Sequence, residues 1–260
     1  MLVAAAVCPH PPLIVPELAG AAASELDGLR AACAAAIGAV LAVDHDLLVV
    51  VGSDERTRAY GGQAAGTLGP WGVDVRVGEG EPVLPLSLTI GRWLLAMQPT
   101  GGPTNEAAGE PTGEAAGEPT GGRGGTAAAG RGLMLQGVAS DASVAECLAL
   151  GAELVEGRRT ALLVMGDGSA CLTEKSPGYL HPAAVPYNEE IVRAVAEADT
   201  GALAAMDPAE AAALWVAGRA ALQVLAGAAE GAALRPALLD ESSPYGVGYF
   251  VATWLEGRAP

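Results

Sequence analysis

Aromatic residues, basic residues and histidine are scarce in this chain. Of its 260 residues, 4% are Phe, Trp or Tyr, one is lysine (Lys175) and three are histidine. Fourteen Lys and Arg stand against thirty Asp and Glu, which gives a formal net charge of −16. Binding to nucleic acid or to an anionic membrane requires clustered basic side chains. The composition therefore predicts no nucleic-acid partner and no membrane partner.

Metal-binding and disulfide-forming cysteine patterns are also lacking. Cys8, Cys33, Cys147 and Cys171 lie far apart, and no CxxC pair occurs. This spacing resembles neither a zinc knuckle nor a disulfide framework. No uncharged apolar run approaches the length that crosses a bilayer, and no signal peptide is recognisable at the N-terminus. We therefore expect a cytoplasmic protein with reduced thiols.

A low-complexity segment at residues 98–132 interrupts the pattern of the chain. The octapeptide Glu-Ala-Ala-Gly-Glu-Pro-Thr-Gly occurs there twice in tandem, from Glu106 to Gly121. Gly, Pro and Thr at this density, with few apolar anchors, cannot offset the entropy lost on ordering. We expect a disordered, exposed loop inserted into a single domain that spans residues 1–260.

The rest of the chain alternates apolar runs with segments of helical period. The predicted strands are 3–7, 47–51, 73–77, 133–139, 161–165, 234–239 and 247–254. Helices are predicted at 21–41, from Ser140 or Asp141 to about 156, at 187–198 and at 207–228, and 86–97 is a helix or a strand–helix transition. This alternation predicts an α/β fold in three layers, with a mixed, largely parallel central sheet flanked by helices.

Three of the predicted strands end in polar loops. The run 3–7 leads to His10, which is enclosed by prolines that cannot donate to a sheet ladder. The runs 47–51 and 161–165 lead to residues 53–55 (Ser-Asp-Glu) and 167–169 (Asp-Gly-Ser). The carboxyl ends of parallel strands gather at one edge of the sheet, where α/β proteins hold their ligands. We therefore expect these three loops to form the functional site.

Four segments of the chain, in this order and spacing, resemble the class III extradiol ring-cleavage dioxygenases. These segments are Cys8–Pro12, 47–54, 164–169 and 244–249. The family is the LigB-like superfamily, which also includes the Memo-type proteins. The resemblance implies an α/β fold around a non-haem Fe(II) that is held by two histidines and one carboxylate. It also implies metal-dependent oxidation of a small, catechol-like aromatic substrate.

The same resemblance assigns metal-ligand roles to three residues. His10 matches the first histidine of the family. Asp54 stands where the family has its second histidine, and Glu241, or its neighbour Asp240, is the nearest match to the carboxylate. A carboxylate in place of an imidazole hardens the site and shifts its preference from Fe(II) toward other divalent metals.

The acid–base histidine of the family falls in a loop that here reads Gly166–Ala170 and contains no histidine. The catalytic candidates are therefore His181, Asp167 and Ser169. Loss of an acid–base group typically lowers a rate by about 10²–10⁴-fold. Whether the chain is an enzyme is thus left open by the sequence.

Two functions follow as expectations. The first is a ring-cleaving dioxygenase that uses Fe(II) or another divalent metal. The second is a non-catalytic relative that binds a small ligand or a protein partner in the same cleft, with no metal. A hydrolase with Ser169 or Cys8 as nucleophile ranks last, because Gly166–Ala170 lacks the Gly-x-Ser-x-Gly spacing. A homo-oligomer is left open.

Structural interpretations compete with these roles. His10 could cap a strand end, Asp54 and Glu55 could be solvated loop carboxylates, and Asp167 and Ser169 could close a local turn. His45, which lies between two aspartates, is expected at the surface. The four tryptophans are expected to be packing residues; they are Trp71, Trp93, Trp215 and Trp254.

Overall fold

The computed structural model describes residues 1–98 and 132–257, and the repeat segment predicted to be disordered lies almost entirely outside these ranges. The strands are β1 (Leu2–Cys8), β2 (Leu47–Asp54), β3 (Arg58–Gly61), β4 (Gly66–Thr67), β5 (Arg76–Val77), β6 (Gly132–Ala139), β7 (Thr160–Met165), β8 (Leu234–Ser242) and β9 (Tyr249–Glu256). The helices are α1 (Pro16–Ala19), α2 (Asp27–Ala42), α3 (Leu86–Ala96), α4 (Val144–Leu154), α5 (Ala184–Glu197), α6 (Thr200–Ala204), α7 (Pro208–Ala213) and α8 (Arg219–Ala228).

Seven of the strands form one sheet in the order β3-β6-β2-β7-β1-β9-β8. The neighbouring strands β6, β2, β7 and β1 are parallel, whereas β3, β9 and β8 are each antiparallel to their neighbours. The unbroken apolar runs of β1 and β7 are buried along their whole length, as expected for central parallel strands. The predicted mixed, largely parallel sheet is confirmed.

Helices cover both faces of this sheet. Alternate side chains of β1 point to opposite faces: Ala4 and Ala6 join the core beneath α2 and α3, while Ala5 and Val7 join the core beneath α4, α5 and α8. The result is the predicted three-layer arrangement. None of the helices in the described ranges is long and apolar enough to cross a membrane.

Two predicted helices begin later than expected. The segment predicted as a helix from residue 21 starts as a 3₁₀ helix, Gly20–Leu26, and α2 begins only at Asp27. Helix α4 is capped by Ser143 rather than by Ser140 or Asp141. The Ser143 hydroxyl accepts from the Glu146 backbone, and the Glu146 carboxylate accepts from the Ser143 backbone. This reciprocal capping box satisfies two N–H groups at the start of the helix.

The helix predicted at 207–228 is in fact two helices. Asp207 caps α7 as predicted, because its side chain accepts from the Glu210 backbone at 2.8 Å. Helix α7 then ends at Ala213, and α8 begins at Arg219. Trp215 between them has a φ of 52°, which a right-handed helix cannot contain. This break places residues 214–218 beside the carboxyl edge of the sheet, where the Gly218 N–H donates to the Asp167 carbonyl at 3.0 Å.

Other differences concern short strands. The predicted strand 73–77 is reduced to the two residues of β5, which pair only with β4. Strand β3 was not predicted at all, and it pairs antiparallel with β6 at the end of the sheet. Two of its side chains, those of Arg58 and Tyr60, donate hydrogen bonds to Asp54.

Candidate functional site

His10 lies just past the end of β1, and 6% of its surface is exposed. Its backbone N–H donates to Asp167 Oδ1 at 2.7 Å, and its ring Nδ1 lies 3.5 Å from the same oxygen. At that distance the ring contact is electrostatic, and Nδ1 has no hydrogen-bond partner among the described residues. Since Nδ1 faces Asp167, Nε2 is the ring nitrogen left for a ligand. The predicted approach of the β1 and β7 loops is thus present.

Asp167 is a buried carboxyl group at the end of β7. Burial raises the pKa of this carboxyl above its ordinary value, and the nearby ring and backbone N–H of His10 offset only part of that increase. A carboxylate beside one imidazole nitrogen fixes the orientation of the ring and the use of its other nitrogen. Asp167 therefore acts on His10 and does not close a local turn.

Backbone contacts hold the Asp167 loop in place. Gly168 and Ser169 exchange hydrogen bonds with Gly248, which precedes β9, at 2.8 and 2.9 Å. The side chain of Asn188, on α5, accepts from the Ser169 N–H at 3.1 Å. A Cβ at Gly168 would lie 2.0 Å from Asn188 Oδ1, and one at Gly248 would lie 2.1 Å from it. A side chain at either position would require Asn188 to shift, and the sequence alone did not identify Asn188 as their partner.

Asp54 lies at the end of β2, and both oxygens of its carboxylate already accept hydrogen bonds. Tyr60 Oη donates to Oδ2 at 2.6 Å, Arg58 Nε donates to Oδ2 at 3.1 Å, and the Glu55 N–H donates to Oδ1 at 2.7 Å. Burial alone would raise the pKa of this carboxyl, but the bonds from Arg58, Tyr60 and Glu55 outweigh burial and lower the pKa. Asp54 thus links β2 to β3 through the side chains of Arg58 and Tyr60.

Replacing Asp54 with asparagine is expected to lower the free energy of unfolding by about 1–2 kcal/mol at pH 7, since bonds to a charged acceptor are lost. The folded-state pKa is below the unfolded value, so the stabilisation is present above pH ~4 and is lost as the pH falls through the folded-state pKa. Urea unfolding at pH 7 and at pH 3 measures this difference. Glu55→Gln, at the exposed neighbour, should change stability by less than about 0.5 kcal/mol. Equal effects of the two variants at pH 7 would contradict the assignment.

Ser169 is fully buried, and its hydroxyl forms hydrogen bonds to two backbone groups. Its Oγ donates to the Leu214 carbonyl at 2.7 Å and accepts from the Cys171 N–H at 3.1 Å. It thereby ties the β7 loop to the segment that joins α7 and α8. A nucleophile needs access to a substrate, so this geometry does not favour the hydrolase alternative.

The structure does not bring His181 or Glu241 into the pocket of His10. The His181 side chain is exposed, and its Nδ1 accepts from the Ala183 N–H at 3.2 Å, at the start of α5. Glu241 is exposed on β8 and borders a different cavity, together with Thr173 and Glu189. Their predicted ligand and catalytic roles stay predictions from the resemblance.

The expected surface position of His45 is wrong. The residue is 4% exposed, and its Nδ1 is 2.7 Å from the Val43 carbonyl, just before β2 begins. Of the four tryptophans, Trp93 and Trp254 are buried as predicted. Trp71 and Trp215 are instead 43% and 57% exposed.

Two adjoining cavities form a cleft at the carboxyl edge of the sheet. The first, the His10 pocket, has a volume of about 480 Å³ and is bordered by His10, Asp54, Glu55, Arg58, Leu84 and Ser87. The second, the Trp215 pocket, has a volume of about 580 Å³ and is bordered by Pro208, Ala209, Ala212, Trp215, Val216 and Arg219. Both cavities are of the size that holds small ligands. Ser53 and Ser140 border both of them.

The floor of the Trp215 pocket is fixed by Arg219, which is 3% exposed. Its guanidinium donates to the Ala142 carbonyl at 2.5 Å, to the Ser140 carbonyl at 2.6 Å and to Gln223 Oε1 at 3.0 Å. Within the described ranges no carboxylate forms an ion pair with it. The sequence did not predict this pocket, because the pocket exists only where the helix is broken at Trp215.

The donors at this edge do not fit a three-ligand iron centre as they are arranged. In the part of the chain that is described, no group of three or more His, Cys, Asp or Glu side chains is placed to hold a metal ion. Both oxygens of Asp54 accept hydrogen bonds, and Glu241 borders another cavity. The Fe(II) site therefore stays a prediction from the resemblance.

Comparison with known proteins assigns no family. No protein-family model matches the chain, and no curated protein matches it. Among solved structures, the chain is similar to one described as the crystal structure of uncharacterized protein JW3007 from Escherichia coli K12. The two share 15% identity at a TM-score of 0.45, over 97% of this chain and 99% of the other. At this level the likeness carries no argument about function.

Proposed function

We propose that the protein binds a small, catechol-like aromatic molecule in the His10 pocket, and that it does so without metal-dependent ring cleavage. The observation that carries this proposal is the environment of the His10 ring. The ring is buried and lies beside Asp167, Nδ1 has no hydrogen-bond partner among the described residues, and the ring borders a cavity of about 480 Å³. The class of ligand is taken from the family resemblance.

The chemistry of His10 suits a phenolic ligand. A neutral imidazole nitrogen accepts a hydrogen bond from a phenol, and a protonated one donates to a phenolate. Nε2 is the ring nitrogen left for a ligand, and one hydrogen bond between it and a ligand hydroxyl contributes about 0.5–1.5 kcal/mol, or about 1.5–3 kcal/mol when one partner is charged. Asp167 keeps the ring in one orientation, so little further ordering is needed when the ligand binds.

The state of Asp54 supports binding over ring cleavage. To act as the second metal ligand, Asp54 would have to give up bonds from Tyr60, Arg58 and the Glu55 N–H. Its lowered pKa indicates that these donors stabilise the carboxylate where it is. A cytoplasmic location and a homo-oligomer stay predictions from the sequence.

Replacing His10 with alanine is expected to weaken catechol binding by about 10- to 100-fold, the effect of losing a hydrogen bond in which one partner is charged. Isothermal titration of catechol into the unaltered and variant proteins measures this loss. His181→Ala is the matched control, because that histidine is exposed outside the pocket, and it should leave the affinity unchanged within about twofold. Equal affinity of the His10 variant and the unaltered protein would overturn the proposal.

One observation favours ring cleavage as a second candidate function. A histidine that binds a metal through one nitrogen usually has a carboxylate, a backbone carbonyl or a water at its other nitrogen, and Asp167 lies in that position relative to His10. The metal content of the purified protein, compared with that of His10→Ala, tests this function. Stoichiometric metal that is lost in the variant, with ring-cleavage absorbance when catechol and O2 are added after anaerobic Fe(II) loading, would favour it over the proposed function.

A further inference from the structure

Trp215 combines two properties that are unusual for a tryptophan in a folded protein. It is 57% exposed, and its backbone has a φ of 52°. A bulky residue in this conformation typically costs about 1–3 kcal/mol and persists only where its surroundings impose it. Such outliers concentrate at ligand-binding sites.

The surroundings of Trp215 hold its side chain at the rim of the cleft. Its N–H donates to the Ala212 carbonyl at 3.2 Å, and the next N–H, of Val216, donates to the Ala211 carbonyl at 2.9 Å. A Cβ built on Gly178 would lie 3.2 Å from Trp215 Cδ2, so the indole packs against the backbone of the β7–α5 loop. Trp215 therefore forms one wall of the Trp215 pocket.

This wall faces a cavity whose other side chains are largely apolar. Pro208, Ala209, Ala212 and Val216 border it, and Arg219 at its floor is engaged with backbone carbonyls. The cavity meets the His10 pocket at Ser53, whose hydroxyl donates to the Ala217 carbonyl at 2.6 Å. A ligand whose polar end reaches His10 can therefore extend an apolar group past Ser53 to the indole.

We infer that the Trp215 pocket is the subsite for an apolar substituent of the ligand, and that Trp215 determines which substituents are accepted. The inference rests on the proposed function, because it places the polar end of the ligand at His10. It names the ligand class more closely: a catechol-type ring that carries an aliphatic group, in preference to the bare ring. Apolar surface buried against the indole supplies the preference.

Titration of catechol and 4-tert-butylcatechol into the same protein tests the inference. The unaltered protein should bind the substituted probe about tenfold more tightly, since burial of part of a four-carbon group contributes on this scale. Trp215→Gly removes the indole, and glycine readily adopts the positive φ. In this variant the tenfold gain should fall to about twofold or less, while the affinity for catechol itself should fall by only about twofold. A variant that merely damaged the fold would weaken both probes alike.

Two further variants serve as controls for Trp215→Gly. Trp215→Phe keeps an aromatic face and should retain most of the gain. Trp71→Ala removes a comparably exposed tryptophan that does not border the cleft, and it should retain the whole gain.

Equal binding of the two probes by the unaltered protein, or a gain that survives in Trp215→Gly or disappears in Trp71→Ala, would overturn the inference and leave the proposed function standing. Failure of both probes to bind the unaltered protein would overturn the proposed function, and this inference with it.

Discussion

Replacing Gly227 with alanine is expected to lower the free energy of unfolding by about 3 kcal/mol or to prevent folding. Gly227, on α8, lies against the backbone of α4. A Cβ at this position would lie 2.1 Å from the Leu148 carbonyl oxygen and 2.7 Å from Leu148 Cα. These are backbone atoms that cannot rotate away, so the two helices would have to separate and lose core packing.

Helix α4 also has a glycine at its contact with α8. A Cβ at Gly151, on α4, would lie 2.1 Å from the Val224 carbonyl oxygen. The closest approach of α4 and α8 therefore needs glycine on both sides. Because Arg219 begins α8 and borders the Trp215 pocket, this approach also fixes one side of the cleft.

Urea unfolding of the variants measures the effect of the Gly227 substitution, and Gly38→Ala is its control. Gly38 is exposed in the middle of α2, and a Cβ there would meet only Gln98 Oε1, at 3.9 Å. Alanine at this open helical position should stabilise the protein by about 0.5–1 kcal/mol. The predicted changes thus have opposite signs. A loss of less than about 1 kcal/mol in Gly227→Ala would contradict the close helix contact.

Replacing Asp167 with asparagine is expected to weaken catechol binding by about 10- to 100-fold without lowering stability at neutral pH. Asparagine is nearly isosteric, and its Oδ1 can still accept the N–H of His10. The variant removes the negative charge that faces Nδ1, so the ring loses the partner that orients it. Titration calorimetry at pH 7.5 measures the binding loss.

The stability of the Asp167 variant has a predicted dependence on pH. The folded-state pKa of Asp167 is raised above its unfolded value, so the favourable contribution of this group is present at acid pH and is lost as the pH rises through the folded-state pKa. Asparagine does not ionise. Asp167→Asn should therefore be as stable as the unaltered protein at pH 7.5, or more stable, and its relative stability should decrease on acidification.

Asp54→Asn should show the opposite behaviour, because the pKa of Asp54 is lowered in the folded protein. Asp167 is expected to lower stability and to raise ligand affinity, as functional groups do. Asp54 is expected to raise stability, as structural groups do. Loss of stability at pH 7.5 in Asp167→Asn, with unchanged catechol affinity, would contradict this division of roles.

The sequence predicted the parts of the site that depend on local patterns. The apolar runs of β1, β2 and β7 identified central strands, and the rule that the carboxyl ends of parallel strands share an edge predicted that the loops of His10 and Asp167 meet. The start of α7 at Asp207-Pro208 was also predicted, because aspartate is preferred at the N-cap of a helix and proline at its first position.

The remaining parts depend on contacts that have no local pattern. Nothing in the continuous Ala-rich segment 207–228 indicates that it breaks, since the residue with positive φ is Trp215 rather than glycine. Arg58 and Tyr60 lie on β3, a strand of four residues that is too short to show an alternating pattern. The hydrogen bonds that Asp54 accepts and the Trp215 pocket could therefore not be predicted from the sequence, although the proposed function and the further inference rest on them.

The measurement that tests the account most directly is catechol binding by protein from which divalent metals have been removed with a chelator, carried out anaerobically. We expect the metal-free protein to bind catechol, added Fe(II) to leave the affinity unchanged, and His10→Ala to weaken the binding by about 10- to 100-fold. Binding that is absent from the metal-free protein and is restored by one equivalent of Fe(II) or another divalent metal would contradict it.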